Sequence, residues 1–293
     1  VIRHPMPYGN LDLQRVQRFA TEEDLNEQNC TIEEREEYEP YVNMGIPIYA
    51  GVDYRAILDQ AQKDADIVLW DGGNNDFSFI RPDLDIVVVD ALRAGHEIEY
   101  FPGEVNFRRA DVLVISKAET ALPGDVLEIR ERAAGINAEA KICTADLEIR
   151  VDNPELLPNQ RVLVIEDGPT VTHGGMSFGA GIVAAEQYGA RPVNPRPYAK
   201  GTIRDTFDNN PHLERVLPAM GYSEQQRNAL RMTAIECCKR ENVSCVVDAS
   251  PARFDWGQDL GVPVVRVTYS FVQLDGPPVF DLVLALMQSE TTS

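Results

Sequence analysis

Asp66-Ile67-Val68-Leu69-Trp70-Asp71-Gly72-Gly73 runs four apolar residues together and then turns polar at a carboxylate and two glycines. The form recurs. Ile86-Val87-Val88-Val89 ends at Asp90, Val112-Leu113-Val114-Ile115 ends at Ser116-Lys117, and Val162-Leu163-Val164-Ile165 leads into Glu166-Asp167-Gly168-Pro169. Short β-branched runs without polar alternation are the mark of strands covered on both faces, as in a parallel sheet. Helical patterns lie between them: an amphipathic stretch over Tyr54–Lys63, another over Ile182–Tyr188, and a third from Ser223, whose spacing to Gln226 is that of a capping box, to about Arg240. The fold class read from this rhythm is α/β, with a mostly parallel, Rossmann-like sheet. Polar residues and glycines gather at the strands' C-terminal ends, where open α/β sheets bind ligands.

Working outward, Val151–Asn159 reads as a connector punctuated by Asn153-Pro154 and Leu157-Pro158. It divides the 293 residues into 1–150 and 151–293, close to the usual domain length. Ile46–Tyr49, Cys245–Val247 and Val264–Val267 are further strands, and Pro278–Gln288 is a terminal helix. Leu13, Val16 and Phe19 give Leu11–Ala20 helical spacing, and Thr31 with Glu34 forms a second capping box. A formal net charge of −20 repels nucleic acid and anionic membranes, so any phosphate ligand needs local cations or backbone N–H groups. No apolar run reaches membrane-spanning length and Val1–Pro5 has no apolar leader core. Five cysteines without metal spacing read as reduced thiols, giving a cytoplasmic expectation. The start at Val1 reads as a processed end or as a point inside a larger protein.

Four motifs carry chemistry. Asp71 follows its strand as a Walker B carboxylate would, and Gly72-Gly73 lets backbone approach a phosphate. Ser116-Lys117-Ala118-Glu119 keeps the order of roles of an Asn-Lys-x-Asp base-recognition element, with Ser and Glu substituted. The stretch from Asp167 to Gly181 lies between strand and helix, and His173, Gly174, Gly175, Gly179 and Gly181 make it a candidate anion cradle. Arg196, Lys200 and Arg204 put three cations in nine residues and form a second candidate clamp. No Gly-Lys dipeptide occurs anywhere, so the chain holds no Walker A loop.

Arg3-His4-Pro5-Met6-Pro7-Tyr8-Gly9, Cys30–Pro40, Ala50-Gly51-Val52-Asp53-Tyr54 and Trp70-Asp71-Gly72-Gly73-Asn74-Asn75-Asp76 together resemble the predicted GTPases related to cyclic 2,3-diphosphoglycerate synthetase. Pro102–Asn106, Glu166–Thr170, His173–Met176 and Leu217-Pro218-Ala219-Met220-Gly221-Tyr222 add to the resemblance, which covers nearly the whole chain in order. It implies a P-loop NTPase core, here truncated, joined to a second α/β unit. It also implies use of ATP or GTP with Mg²⁺, with Asp71 and Thr31 near the metal and Gly73 and Asp76 near the γ-phosphate. Ser116, Lys117 and Glu119 would then flank the base, and Arg3 and His4 would touch the transferred phosphate or the substrate.

The expected activity on that resemblance is phosphoryl transfer or phosphoanhydride formation on a small phosphorylated metabolite, with the 293-residue chain alone inactive for want of a Walker A loop. Two other readings remain open at this point: a GTPase switch acting on a protein partner, and an inactive anion-binding fragment. The expected partners are nucleotide and metabolite, with no nucleic acid and no membrane, and a homo-oligomer is compatible with the sequence.

Overall fold

The computed structural model describes residues 1–6, 10–73, 76–220, 223–251, 256 and 260–290. Pro7, Tyr8, Gly9, Asn74, Asn75, Gly221 and Tyr222 of the motifs above lie outside the described residues. In chain order the elements are β1 (Ile2–Arg3), β2 (Gln17–Phe19), α1 (Glu22–Glu27), α2 (Ile32–Asn43), β3 (Ile48–Ala50), α3 (Tyr54–Asp64), β4 (Trp70–Asp71), β5 (Ile86–Asp90), α4 (His96–Glu99), α5 (Gly103–Arg109), β6 (Val112–Ser116), α6 (Pro123–Ile136) and β7 (Lys141–Val151). Then come β8 (Arg161–Asp167), α7 (Gly168–Thr172), α8 (Ala180–Gln187), β9 (Arg191–Pro192), α9 (Gly201–Asn209), β10 (Leu217–Ala219), α10 (Glu224–Glu241), β11 (Cys245–Asp248), β12 (Val264–Asp275) and α11 (Val279–Glu290). The fold is mixed α/β with mostly parallel strands, as the sequence pattern requires.

The chain forms two compact units: residues 1–20, 45–148 and 270–293 make one, and 21–44 with 149–269 make the other. In the first, β3, β1 and β4 are parallel, with β2 antiparallel on β3. β5, β6 and β7 form a second parallel set, in register from Ile86 opposite Val112 to Asp90 opposite Ser116. Ile57 and Ala61 of α3 pack on Ile2 and Tyr49. Phe107, Ile129 and Ala133 cover one face of β6 through Leu113 and Ile115, while Val279 and Leu282 of α11 reach Val112, Val114 and Cys143 on the other.

In the second unit, β10, β8, β11 and the start of β12 are parallel neighbours. Val162–Ile165 and Val246–Val247 are wholly buried, with Ile182, Ala185, Leu230 and Ala234 among the residues over them. Fully burying one such aliphatic side chain stabilises by roughly 1.5–3 kcal/mol.

Several elements depart from the sequence pattern. Leu11–Ala20 is not a helix: turns lead into β2, whose Gln17 and Phe19 are buried against β3. Sheet pairing overrides the weak helical spacing there. The capping boxes at Thr31/Glu34 and Ser223/Gln226 both form. The connector contains one short 3₁₀ turn at Pro154–Leu156. From Asp66 on, only Trp70 and Asp71 pair as strand, although the whole run reads as a buried one.

Candidate functional site

In the first unit the parallel strands β1, β3 and β4 end on one edge. Register places Arg3 opposite both Ala50 and Asp71, so each strand delivers its first polar residues there. The Arg3 guanidinium donates to the Asp71 carboxylate. His4 follows, its Nε2 3.9 Å from Asp76 Oδ1. The imidazole meets the rings of Tyr54 and Trp70 edge-on at 5.7 Å each and that of Phe79 at 6.2 Å. Tyr54 and Phe79 themselves stack at 3.9 Å with nearly parallel planes. Each such aromatic pair adds about 0.5–1.5 kcal/mol and fixes ring orientation. Asp53 caps α3 by accepting from Ala56 N–H, which sets Tyr54 at the head of the helix.

The Walker B and base-recognition expectations meet committed groups. Asp71 is engaged by Arg3. Gly73 N–H donates to Asp76 Oδ2 at 3.2 Å, and Asp76 N–H returns to Gly73 carbonyl, closing a local turn. The Thr31 hydroxyl caps α2 together with Glu34. Among the described residues no three His, Cys, Asp or Glu side chains gather as a metal set.

Lys117, at φ +60°, donates to Asp90 at 2.8 Å, and Arg93 reaches the same carboxylate oxygen. Burial opposes the charge on Asp90, but Lys117, Arg93 and the Leu92 N–H outweigh it and hold this carboxyl below its ordinary range. Ser116 is buried at the end of β6, and the Glu119 N–H donates to Asp146. Lys117 is thus paired with Asp90 in this structure.

In the second unit the glycine stretch is already supplied with an anion, and the anion is internal. Glu166, 2% exposed, accepts from the N–H groups of Gly179 at 3.0 Å, Gly181 at 3.2 Å and Ile182 at 2.8 Å, at the head of α8. A Cβ at Gly179 would collide with this carboxylate, and one at Gly181 with the Val164 side chain, which accounts for both glycines. Burial pushes Glu166 up to about 7 against the pull of those three amides. The N–H of Gly174 goes to the Pro169 carbonyl, and a Cβ there would strike the Thr170 carbonyl. Gly175, at φ +64°, makes the turn, and His173 is exposed beside the Thr172 hydroxyl. The expected amides thus meet Glu166 or backbone carbonyls in place of an outside anion.

Of the three clustered cations, Arg196 and Arg204 are engaged with backbone carbonyls. Arg196 donates to the carbonyls of Phe207, Asn210 and Leu213 and stacks 5.1 Å from the Phe207 ring, so it closes the end of α9. Arg204 reaches the Ala199 carbonyl, and the Lys200 N–H donates to Thr233.

Sequence reading passed over Asp248, the first charged residue after the Cys245–Val247 run. It is 1% exposed and accepts from Arg266 at 2.8 Å, Ser250 Oγ at 2.6 Å and Trp256 Nε1 at 3.1 Å. Register puts it opposite both Ile165 and Arg266 on the C-terminal edge of its sheet. The ring set around His4 was also missed, because its members are spread over seventy-six residues. All five cysteines are free, and burial pushes Cys30, Cys237 and Cys238 up to about 12 and Cys245 up to about 11, so none is a ready nucleophile near neutral pH.

No family model matches the chain. One curated protein does. Arginine synthetase ArcE of Thermococcus kodakarensis is 51% identical to it over 283 residues, which is 96% of this chain. The chain spans 62% of that protein's length. This finding corrects the resemblance to GTPases related to cyclic 2,3-diphosphoglycerate synthetase, and with it the activity on a phosphorylated metabolite, the protein-partner switch and the inactive anion-binding fragment. That relative is named for a different reaction, and a strand followed by Asp-Gly-Gly specifies neither guanine nor substrate. Inactivity of the chain alone likewise loses its support. No helix among the described residues is long and apolar enough to cross a membrane.

Proposed function

We propose that this chain is part of an enzyme, an arginine synthetase that draws on ATP. The observation that carries the reading is the 51% identity with arginine synthetase ArcE over 96% of the chain. A synthetase couples bond formation to cleavage of a nucleotide, hence ATP.

The edge that would hold the arginine formed, in this reading, is the end of β1, β3 and β4. A guanidinium is planar and cationic, and it pairs with carboxylates and stacks on aromatic faces. Asp76, half-buried beside His4, with Tyr54, Trp70 and Phe79 around it, offers both kinds of partner. Asp71 already holds one guanidinium, that of Arg3. His4, next to Asp76, is placed to carry a proton to or from the group bound there.

The test is ATP-dependent formation of arginine by the protein expressed from the complete reading frame that contains these residues. Arginine released together with ADP or AMP supports the proposal, with Asp76→Asn and His4→Gln each lowering the rate at least tenfold. Nucleotide cleavage without arginine, or full activity in both variants, would refute the enzyme reading or the site, respectively.

A further inference from the structure

Leu11–Ala20 has helical spacing but runs as turns into β2, and two of its residues, Gln14 and Arg15, join the stretches that supply the rings around His4. Gln14 is 8% exposed, an uncommon place for a carboxamide. Its Nε2 donates to the Met6 carbonyl at 3.1 Å, two residues beyond His4. Its own main-chain carbonyl accepts from the Val52 N–H at 3.1 Å, and the Arg15 carbonyl accepts from the Asp53 N–H at 3.0 Å. The Arg15 guanidinium closes the same contact, donating to the Asp53 carboxylate at 2.8 and 3.0 Å. Asp53 in turn caps α3, whose first residue is Tyr54.

The backbones approach closely here. Gly51 lies at φ +152°, and a Cβ there would stand 2.6 Å from the Arg15 carbonyl oxygen and 2.8 Å from that of Gln14. Glycine is what lets those carbonyls reach Val52 and Asp53. On the other side, Arg3 is fixed by its register with Ala50 and Asp71. Pro5 has a ring-fixed φ and no N–H to anchor it. His4 therefore stands between two anchors: the β1 ladder before it and the Met6 carbonyl after it. Gln14 supplies the second anchor with its side chain and braces the approach to Tyr54 with its main chain.

We infer that Gln14, with Arg15 beside it, is a positioning residue for the site at the end of β1, β3 and β4, and that it sets the His4 imidazole against the Tyr54 ring. It touches neither ring itself in this account. It acts through the Met6 carbonyl and through the turn that starts α3. Loss of its donor leaves the Met6 carbonyl without this partner and frees the backbone after His4. The consequence for arginine formation rests on the arginine reading. The placement of His4 does not.

The experiment labels histidine with carbon-13 at Cε1 in the product of the complete reading frame. The His4 signal is assigned by its loss in His4→Gln. Edge-on contact with Tyr54, Trp70 and Phe79 holds this signal away from that of an exposed imidazole. In Gln14→Met, which keeps the bulk and lacks the donor, the signal should move toward the exposed position. The kcat for arginine formation should fall on the order of tenfold to a hundredfold, with the KM for ATP held within about twofold. Arg15→Ala removes a side chain that is 72% exposed and should move the signal the same way by less. Where Gln14→Met does not fold, Arg15→Ala decides by the same signal. An unmoved His4 signal in the folded variant overturns the inference. So does a moved signal with arginine formed at the wild-type rate. A moved signal in a protein whose wild type forms no arginine supports the placement of His4 and refutes the arginine reading alone.

Discussion

Val162-Leu163-Val164-Ile165 and Ile86-Val87-Val88-Val89 are nearly interchangeable as sequence, and they stand in opposite surroundings. The first sits in β8 between β10 and β11, all four side chains wholly buried. The second sits at an edge with half its side chains in solvent. A run without polar alternation states what a strand is built to touch. It does not guarantee that the neighbour is in the same 293 residues. The contrast extends to charge. The carboxylate after β8 is sealed by amides of its own loop, whereas that after β5 is held by cations at a half-open edge.

The largest difference is expected from truncation in the two runs. Ile165→Ala should cost about 2–5 kcal/mol, because it opens a cavity in a packed sheet. Ile86→Ala should cost under ~1 kcal/mol in this chain. Urea unfolding of both variants measures the pair, and equal losses would break the comparison.

Next come the buried and half-buried charges. Asp248→Ala strands Arg266 and leaves Trp256 and Ser250 without their acceptor. With the guanidinium partly solvated, about 2–4 kcal/mol is expected, below the loss for a wholly buried pair. Asp90→Ala leaves Lys117 and Arg93 free to reach water and should cost about 1 kcal/mol. Chemical denaturation at neutral pH ranks the two.

The same edges should respond to pH with opposite sign. Glu166 is raised from 4.5 in the open chain to about 7 when folded. Its protonated form is favoured by folding, so this contribution is fully present below about 4.5 and is lost as pH rises through about 7, by at most roughly 3 kcal/mol. Asp90 lies below its ordinary value, so its contribution is present above about 3.8 and is lost as pH falls through the folded value. Stability curves from pH 2 to 8 should therefore flatten between about 4.5 and 7 in Glu166→Gln, while Asp90→Asn alters only the limb below about 3.8. A Glu166→Gln curve parallel to the wild type would show that the amides keep this carboxylate ionised throughout.

Arg196 should give an effect of the same order as Asp90. Lysine cannot serve three carbonyls in the plane of a guanidinium, and Arg196→Lys should cost about 1–2 kcal/mol.

How much of this the sequence disclosed depends on range. Strand cores, both capping boxes and the polar edge after each apolar run follow from local pattern, so β5, β6, β8, β10's neighbour β11 and α10 were legible. β2 was hidden because three residues paired to β3 outweigh a helical spacing. The 11 residues of β7 and the 12 of β12 exceed the apolar runs that mark strands, since their outer halves carry polar side chains. The glycines after β8 were recognised as an amide-rich helix start. Whether the amides were vacant could not be read, because their ligand, Glu166, precedes them by thirteen residues and looks like any strand-end acid. Asp71, His4 and Asp76 were picked out by motif, but the rings of Tyr54 and Phe79 come to His4 only through the register of β1, β3 and β4. Substrate identity was misread because the motifs describe a sheet edge, and one edge serves many reactions.

The claim on which the account turns is that the edge formed by β1, β3 and β4 receives arginine. Calorimetric titration of L-arginine into the 293-residue chain and into Asp76→Asn measures it directly. Saturable binding in the wild type and at least tenfold weaker binding in the variant, a loss of about 1.4 kcal/mol or more, is the predicted result. Binding of equal strength in both proteins, or no binding in the folded wild type, would contradict it.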